Sequence, residues 1–315
     1  MNILILDDIA PVCGEQCRRH GFQVEQAANI NHTRERLGEF NVILVRSASK
    51  VTANEMAAAP NLRVIGRAGV GLDNIDLAAA NQRRIAIIST PEANTISTAE
   101  LTFSLMLALA RRVPMAQNSL VQGLWKRNEF RGTELYGKTL GVIGFGRIGR
   151  EVAARARGFG MRIVAHDPLI PEASITSLGA TSCDLETLLG QSDFITLHVP
   201  LMASTRQLIN AAALQKVKPG ARLINCARGG LTDEQAVRAA LDSGRLAGAA
   251  LDVYADEPPP KDHPLIGHPL VVCVPHLGAL TDEAQTRAAE ELAANVVVYL
   301  KEHSLRGVVN PQAVG

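Results

Sequence analysis

The fold is decided by residues 140–167, which read LGVIGFGRIGREVAARARGFGMRIVAHD. The apolar run Leu140–Ile143 predicts a buried strand. Glycines with the spacing G-x-G-x-x-G follow, at Gly144, Gly146 and Gly149. Apolar residues at helical intervals then lead to Gly160, and a second apolar run leads to Asp167. Strand, glycine turn, helix, strand and acid make one βαβ unit, which predicts a dinucleotide-binding domain.

Each part of this unit suits a bound pyrophosphate. Gly144 lets the chain turn tightly, Gly146 lets a phosphate approach the backbone, and Gly149 lets the helix pack on the strand. The helix N-terminus supplies unpaired N–H groups and partial positive charge. Asp167 stands close to the roughly 20-residue spacing expected of the acid that holds the ribose 2′-hydroxyl. Glycines in this pattern also end ordinary helices, but here the strand, the helix and the acid accompany them.

Asp167 also favours NAD over NADP as the cofactor. Its carboxylate would repel a 2′-phosphate, and the next residues, Pro168, Leu169 and Ile170, offer no cation to hold one. The alternative interpretation of Asp167 is a solvated acid at the end of a strand.

Length and composition limit the class of protein. A chain of 315 residues with 47% hydrophobic residues is long enough for two domains, each with its own core. A net charge of +1 provides no field that would attract nucleic acid or an acidic membrane surface. The start, MNILILDD, lacks the pattern of a signal peptide, and no apolar run is long enough for a membrane span. We therefore expect a cytoplasmic protein with no nucleic-acid or membrane partner.

The five cysteines are scattered along the chain, at Cys13, Cys17, Cys183, Cys226 and Cys273. Cys13 and Cys17 lie four residues apart on a predicted first helix, and the sequence around them does not form a cysteine–histidine zinc motif. We expect reduced thiols and no metal site.

Residues 1–92 alternate short apolar runs with helical stretches, which predicts a parallel sheet covered by helices on both faces. The expected strands are Asn2–Leu6, Gln23–Gln26, Val42–Val45, Val64–Arg67 and Ile85–Ile88. Ligands of such sheets bind at the carboxyl ends of the strands. Arg46 and Arg67 stand at two of these ends, although either could be an ordinary surface cation.

The rest of the chain predicts a second domain of the same kind. Ser97–Glu100 has the pattern of a capping box, and a long helix is expected from there to about Leu120. Six strands are expected between Leu140 and Val274, and a last helix over Glu283–Leu300.

Chemically useful residues follow several strands of this second sheet, where they should share its carboxyl edge: Arg228, Asp252, Glu257 and His276. Hydride transfer from an alcohol needs a base for the hydroxyl proton, and His276 suits that work near neutral pH. Arg228 can hold a substrate carboxylate with two hydrogen bonds. A carboxylate at Glu257 would favour the imidazolium form of His276.

Each of these residues also has an ordinary interpretation when taken alone. His276 could be a loop histidine with satisfied hydrogen bonds, and Glu257 could be a loop charge beside three prolines. His263 and His268 flank the same proline-rich loop and are given no role.

Six segments of the chain together resemble the D-isomer-specific 2-hydroxyacid dehydrogenases: LVRSASKVT, RAGVGLDNIDL, WKRNEFRGTELYGKTLGVIGFGRIG, LINCARGG, ALDVYADEPP and PHLGALTDEAQ. The resemblance runs from end to end and is strongest to members that oxidise D-3-phosphoglycerate. It implies an α/β protein with a Rossmann dinucleotide-binding domain and a flavodoxin-like substrate domain, each a parallel sheet with helices on both faces. It also implies NAD as the cofactor and a homodimer joined through the cofactor domain, with the long helix in the contact.

The resemblance implies roles for individual residues. The catalytic set would be Arg228, Glu257 and His276. The cofactor contacts would be Gly144, Gly146, Arg147, Ile148, Gly149, Asp167, His198, Val199, Pro200, Cys226, Ala227, Arg228, Asp252, His276, Gly278 and Ala279, with Asp252 at the nicotinamide carboxamide. The substrate contacts would be Val70, Gly71 and Asn94, with Arg46, Ser47 and Arg127 towards a phosphate.

The family's organisation also divides the chain. It predicts a substrate domain at residues 1–92, an NAD-binding domain at 93–280 and a C-terminal helix, within 281–315, that returns to the substrate domain. Leu280 stands where the family has a serine, so a hydroxyl near the site is missing and the fine substrate preference stays open. Because the sequence ends soon after the last helix, we expect no regulatory domain of the serine-sensing kind that some members carry.

The prediction that results is an NAD-dependent dehydrogenase that interconverts D-3-phosphoglycerate and 3-phosphohydroxypyruvate, a step of serine biosynthesis. The nearest alternative is a glyoxylate or hydroxypyruvate reductase of the same family. A third possibility is an NAD-sensing binding protein of the corepressor type. The complete catalytic set and the lack of a basic or disordered tail count against that third possibility.

Overall fold

The computed structural model describes residues 1–314, which form two compact units. The first unit contains Met1–Asn94 and the chain from Ala279 onward, and the second contains Thr95–Gly278. None of the helices in residues 1–314 is long and apolar enough to cross a membrane.

The first unit is a five-stranded parallel sheet. Its strands are β1 Asn2–Leu6, β2 Gln23–Ala27, β3 Val42–Val45, β4 Val64–Arg67 and β5 Ala86–Ser89. The helices between them are α1 Val12–Arg19, α2 Ala53–Ala58 and α3 Leu77–Gln82, with a 3₁₀ segment over Ile30–Glu39. The strand order β2-β1-β3-β4-β5 is that of a flavodoxin-like sheet. The predicted fold class of this unit is confirmed.

Local sequence explains where these elements begin. Strands β3 and β4 are almost wholly buried because helices cover both faces of the sheet, so their residues form continuous apolar runs. Helix α2 begins at a capping box in which Thr52 and Glu55 satisfy each other's backbone N–H groups. Helix α3 begins where the Asp76 carboxylate accepts the Ala79 N–H at 3.0 Å.

The second unit is a seven-stranded parallel sheet. Its strands are β6 Thr139–Ile143, β7 Arg162–His166, β8 Thr181–Ser182, β9 Phe194–Leu197, β10 Ala221–Asn225, β11 Leu246–Leu251 and β12 Val271–Cys273. The helices are α4 Thr95–Arg111, α5 Val113–Val121, α6 Arg147–Gly158, α7 Glu172–Thr176, α8 Leu185–Gln191, α9 Ala211–Lys216 and α10 Glu234–Asp242. Short 3₁₀ turns cover Arg127–Phe130 and Gly229–Leu231.

The order of these strands, β12-β11-β10-β9-β6-β7-β8, runs outward in both directions from β6. The switch point between β6 and β9 is where a dinucleotide binds in a doubly wound sheet. The Rossmann topology is confirmed, with one strand more than predicted, because the two-residue β8 gives too short a pattern to detect.

The chain returns to the first unit through helix α11, Asp282–Glu302, and the short helix α12, Pro311–Val314. The face of α11 that carries Leu292 and Val296 belongs to the same apolar cluster as Cys13 and Cys17 of α1. Beyond α11, the Asn310 side chain accepts the N–H of a β5 residue at 2.8 Å. These contacts make α11 and the segment after it part of the first unit's core.

The capping box predicted at Ser97–Glu100 is wrong. Helix α4 already begins at Thr95, so these residues lie inside its first turns. The Thr98 hydroxyl instead donates to the Gly278 carbonyl at 3.1 Å. Ser97, the residue that the local pattern assigned to the cap, therefore lies inside the helix, next to a residue that makes a long-range contact.

The single long helix predicted to about Leu120 is also wrong, because the structure divides it into α4 and α5. Arg112 separates them with a left-handed backbone, φ 55°. Pro114 has no N–H to continue the hydrogen bonds of α4, and it is tolerated in the first turn of a new helix, which begins at Val113. Other element boundaries agree with the predictions within a few residues; the last helix, for example, spans Asp282–Glu302.

Candidate active site

The glycine turn after β6 has no room for a side chain at two of its glycines and is open at the third. Gly144 has φ 91°, and a Cβ there would lie 2.5 Å from the His198 carbonyl oxygen. A Cβ on Gly149 would overlap the Gly144 carbonyl, so only glycine fits at both positions. At Gly146, by contrast, no atom lies within 4 Å of an added Cβ. The turn thus exposes bare backbone at the start of α6, where a phosphate can approach.

Asp167 is held beside this turn. One carboxylate oxygen accepts the Phe145 N–H at 2.8 Å, and the other accepts the Leu169 N–H at 2.9 Å. Leu169 itself is 85% exposed and brings no positive charge. Open backbone at Gly146, a helix N-terminus and an adjacent acid together fit an NAD molecule, with the acid placed for the ribose.

His198, Val199 and Pro200 follow β9 and border the same turn, since Val199 also contacts Gly144. The His198 ring nitrogen Nε2 lies 3.0 Å from the Thr196 hydroxyl. Burial lowers the pKa of His198 to about 3. His198 is therefore neutral near pH 7 and is no candidate for a proton donor.

The turn after β10 is organised by Asn225, which is fully buried. Its side-chain oxygen accepts the Ala227 N–H at 3.0 Å, and its side-chain amide donates to the Arg228 carbonyl at 2.9 Å. The Arg228 guanidinium donates to the Ala227 carbonyl at 2.7 Å. Burial raises the pKa of the Cys226 thiol to about 12, so this cysteine remains a protonated core residue.

The residue after Arg228 brings this turn against the segment that follows β11. A Cβ on Gly229 would overlap the main-chain carbonyl of Tyr254 and crowd the Ala255 nitrogen. The Arg228 turn and the Tyr254 main chain are therefore in close backbone contact, which is possible only with glycine at position 229.

Glu257 and His276 form a hydrogen-bonded pair. His276 Nδ1 lies 2.6 Å from Glu257 Oε2. The other oxygen, Oε1, accepts the Tyr254 N–H at 3.1 Å. Both side chains remain accessible, with 50% of the His276 side chain and 36% of the Glu257 side chain exposed. The imidazole thus has one nitrogen on a carboxylate, and the other ring nitrogen remains for a substrate.

Asp252, at the end of β11, fixes the loop that follows His276. Its carboxylate accepts the Leu277 N–H at 2.5 Å and the Gly278 N–H at 2.9 Å. Burial raises the pKa of Asp252 to about 6. Both oxygens of this predicted cofactor contact are therefore already engaged in holding the loop.

In the first unit, the predicted substrate residues follow β3, β4 and β5. The Arg46 guanidinium donates to the Asp8 carbonyl at 2.9 Å and to the Gln285 side chain at 3.3 Å. Arg46 and Asn94 line a cavity of about 30 Å³ together with Gly69, Ala279 and Gln285. Ser47 and Val70 are exposed, and Gly71 is partly exposed.

Two predicted residues lie apart from these groups. Ala279, predicted as a cofactor contact, belongs to the first unit and lines the Arg46 cavity. Arg127 is exposed in the 3₁₀ turn of the second unit. Within residues 1–314 no group of three or more histidine, cysteine, aspartate or glutamate side chains could hold a metal ion.

Some residues that organise the site were not predicted from the sequence. Asn225, Tyr254 and Asn74 hold the loops of the predicted residues through side-chain or backbone hydrogen bonds; Asn74, for instance, donates to the carbonyls of Arg46 and Ser49. An asparagine that ends an apolar strand, as Asn225 does in LINCARGG, is the one sequence signal that would have pointed to this role.

Comparison with known proteins identifies the second unit. Residues 103–278 match the family described as D-isomer specific 2-hydroxyacid dehydrogenase, NAD binding domain. This match confirms the predicted NAD cofactor and the predicted family.

Curated relatives extend the similarity over the whole chain. The D-3-phosphoglycerate dehydrogenase of Rattus norvegicus is 47% identical over 315 residues, covering 99% of this chain and 59% of the rat protein. That of Methanocaldococcus jannaschii is 48% identical over 277 residues, covering 88% of this chain and 53% of the archaeal one. The chain thus spans a little more than half the length of these relatives. A glyoxylate reductase from Paecilomyes thermophila superposes with a TM-score of 0.88 at 31% identity, covering 99% of both chains.

The contact between Gly229 and Tyr254 can be tested by adding one methyl group. Gly229→Ala must push the Arg228 turn away from the Tyr254 main chain, so we expect the free energy of unfolding to fall by about 1–3 kcal/mol. The matched control is Gly230→Ala, whose Cβ would meet the ends of two flexible side chains, Leu201 at 3.1 Å and Arg206 at 3.7 Å. Chemical denaturation measures both. Equal stability of the two variants would mean that the turn and Tyr254 are not in contact.

Proposed function

The chain belongs to the D-isomer-specific 2-hydroxyacid dehydrogenase family, and we propose that it transfers a hydride between NAD and a D-2-hydroxy acid, with D-3-phosphoglycerate as the substrate. The observation that carries the proposal is the 2.6 Å hydrogen bond between His276 and Glu257, near the buried Asp252, in a unit that matches an NAD-binding domain. Relatives named D-3-phosphoglycerate dehydrogenase support the choice of substrate.

The proposed mechanism assigns one task to each catalytic residue. Bound NAD supplies the hydride acceptor in oxidation, and its reduced form supplies the hydride in the reverse direction. His276 takes the proton from the substrate hydroxyl during oxidation and returns it to the oxygen during reduction. Glu257 stabilises the imidazolium that forms, since its carboxylate lies 2.6 Å from the ring. Arg228 holds the substrate carboxylate through its planar guanidinium.

The two units divide the binding work in this proposal. The second unit binds NAD. The turn Gly144–Gly149, which includes Arg147 and Ile148 at the start of α6, binds its phosphates, and Asp167 binds its ribose. Three further loops contact the cofactor: His198–Pro200, Cys226–Arg228 and His276–Gly278. The first unit binds the substrate. Within this unit, Val70, Gly71 and Asn94 are proposed for the carboxylate end of the substrate, and Arg46 and Ser47 for its phosphate. Arg127 is a further candidate for the phosphate.

A glyoxylate or hydroxypyruvate reductase is the second candidate. It is favoured by the similarity of the fold to a solved glyoxylate reductase and by Leu280, an apolar side chain that is 55% exposed where the family has a serine. Both candidates use the same catalytic residues, so only the substrate separates them.

We also propose that the chain forms a homodimer through α5 and the loop after it. Large apolar side chains are exposed along this one stretch: Val113, Leu120, Val121, Leu124 and Trp125. Trp125 is 81% exposed and Val121 is 74% exposed. A second copy of the chain would cover these side chains, which a monomer would leave in water.

The five cysteines are free thiols, which supports a cytoplasmic location.

The first prediction of this proposal concerns the substrate. Arg46→Ala should lower kcat/KM for 3-phosphohydroxypyruvate by about ten- to a hundredfold, because a charge-assisted contact to the phosphate is lost. Glyoxylate, which has no phosphate, should be much less affected. Arg83→Ala is the control, since Arg83 is exposed before β5, at the opposite end of the strands. A panel of 2-oxo acids with NADH measures all rates. Equal losses on both substrates, or glyoxylate as the better substrate of the unmodified chain, would favour the reductase.

The second prediction concerns the cofactor. Asp167→Ser combined with Leu169→Arg should raise the ratio of kcat/KM for NADP to that for NAD by about ten- to a hundredfold, because repulsion is removed and a cation is added. Leu169→Arg alone is the control and should keep NAD preferred. If the unmodified protein used both cofactors equally well, Asp167 would not select between them.

The third prediction concerns assembly. Val121→Glu combined with Trp125→Glu places charge on the proposed face, so the protein should sediment as a 33.6 kDa monomer. Leu305→Glu is the control, because Leu305 is exposed but lies in the first unit. A dimer that persists in the double variant would exclude this face, and a monomeric unmodified protein would exclude the homodimer.

A further inference from the structure

Glu257 and His276 are 19 residues apart in the chain and lie on two loops that have no regular structure of their own. Glu257 follows β11, and His276 follows β12. His276 also has a left-handed backbone, φ 54°, a conformation that costs a non-glycine residue about 1 kcal/mol or more. A 2.6 Å separation between accessible side chains on such loops requires that something hold both loops in register.

Tyr254 contacts both sides of the pair. Its backbone N–H donates to Glu257 Oε1 at 3.1 Å. Its phenol hydroxyl donates to the Val274 carbonyl at 2.9 Å. The same carbonyl accepts the His276 N–H at 3.2 Å. Tyr254 thus binds the Glu257 carboxylate through its main chain. Through its side chain it binds the Val274 carbonyl, which also accepts the His276 N–H.

Tyr254 is itself held firmly. Only 7% of it is exposed, and its ring packs edge-on against His263, with 5.3 Å between ring centroids. The Glu234 carboxylate accepts the N–H of the next residue, Ala255, at 2.9 Å and lies 3.0 Å from His263 Nε2. The contact with Gly229 closes the other side. His263, to which the sequence assigned no role, is therefore part of the support of the pair.

We propose that Tyr254 is a positioning residue whose hydroxyl keeps the carboxylate of Glu257 against the imidazole of His276. Tyr254 acts through Val274 and Glu257 and touches no reacting atom. The positioning itself is a property of this chain's side chains, and only its effect on the reaction rate rests on the proposed function.

Two carboxylates face His276 and must be distinguished in any test. Glu257 is bonded to the ring, and the buried Asp252 interacts electrostatically with it from the end of β11. Removing the Tyr254 hydroxyl should lengthen the Glu257 contact while Asp252 stays bonded to Leu277 and Gly278. Removing the hydroxyl therefore changes the contact of His276 with Glu257 and leaves Asp252 in place. In a variant whose residue 257 carries no charge, removing the Tyr254 hydroxyl should no longer change the titration of His276.

The experiment follows the titration of the His276 ring by NMR in the full chain, with His276→Gln identifying its signals. In Tyr254→Phe the ring should lose its proton at a lower pH than in the unmodified protein, because the imidazolium is less well stabilised. Tyr136→Phe is the matched control, since Tyr136 is 78% exposed. In a Glu257→Gln background, the change Tyr254→Phe should produce almost no further shift.

Two NMR outcomes would overturn the proposal. If Tyr254→Phe titrated like Tyr136→Phe, the hydroxyl would not set the geometry of the pair. If Tyr254→Phe shifted the titration equally with and without the Glu257 charge, Tyr254 would act on His276 by another route. Neither outcome depends on what reaction the protein catalyses.

Kinetics supply the second readout. Tyr254→Phe should lower kcat for 2-oxo acid reduction about two- to tenfold, the effect of one hydrogen bond, and leave KM for NADH unchanged. A shifted titration without a change in kcat would contradict the role in catalysis. A protein in which no 2-oxo acid is reduced would overturn the proposed function, and the NMR result would still decide whether Tyr254 positions the pair.

Discussion

The parallel direction of all seven strands in the second unit is the constraint on which the site depends. Parallel strands end at one edge, so groups that are far apart in the chain arrive together. Asp167 follows β7, Arg228 follows β10 and His276 comes soon after β12. The glycine turn after β6 stands at the switch point of the same edge. Because helices cover both faces of the sheet, its edge is the place where polar side chains can meet water and ligand.

The parallel strands bring the loops to one edge of the sheet but do not fix their conformation. Two buried polar residues hold the loops that carry Arg228 and His276. Asn225 ends β10 and Asp252 follows β11, and each is almost completely buried. Each makes two hydrogen bonds to the backbone of the loop that carries a proposed catalytic residue. An apolar residue at Asn225 would leave one loop N–H and one carbonyl without their partner, and at Asp252 two N–H groups, at a cost of about 1–3 kcal/mol for each buried group. The loops are thus anchored at the point where the core ends.

Structural features that depend on the local sequence pattern could be predicted from the sequence. Features that depend on contacts between residues distant in the chain could not. Strands such as Val42–Val45 were predictable because a strand buried on both faces is a continuous apolar run. The Gly144–Gly149 turn was predictable because its backbone geometry admits only glycine at two positions. The capping box at Ser97 failed because α4 already begins at Thr95, and Thr98 in its first turns bonds to Gly278, a residue distant in sequence. The supporting role of Tyr254 was equally hidden, since no periodicity reveals which carbonyl a phenol will reach.

Two of the carboxylate–imidazole pairs in the second unit, His263 with Glu234 and His276 with Glu257, have surroundings that give them different tasks. In the inner pair, His263 Nε2 lies 3.0 Å from Glu234, and only 2% of the His263 side chain is exposed. Its Nδ1 accepts the Leu265 N–H, and the protein encloses the ring on all sides. In the outer pair, Nδ1 of His276 is bonded to Glu257, while half of the side chain remains exposed. The enclosed pair of His263 and Glu234 thus supports a loop. In the pair of His276 and Glu257, one ring nitrogen remains accessible and can exchange a proton with a substrate.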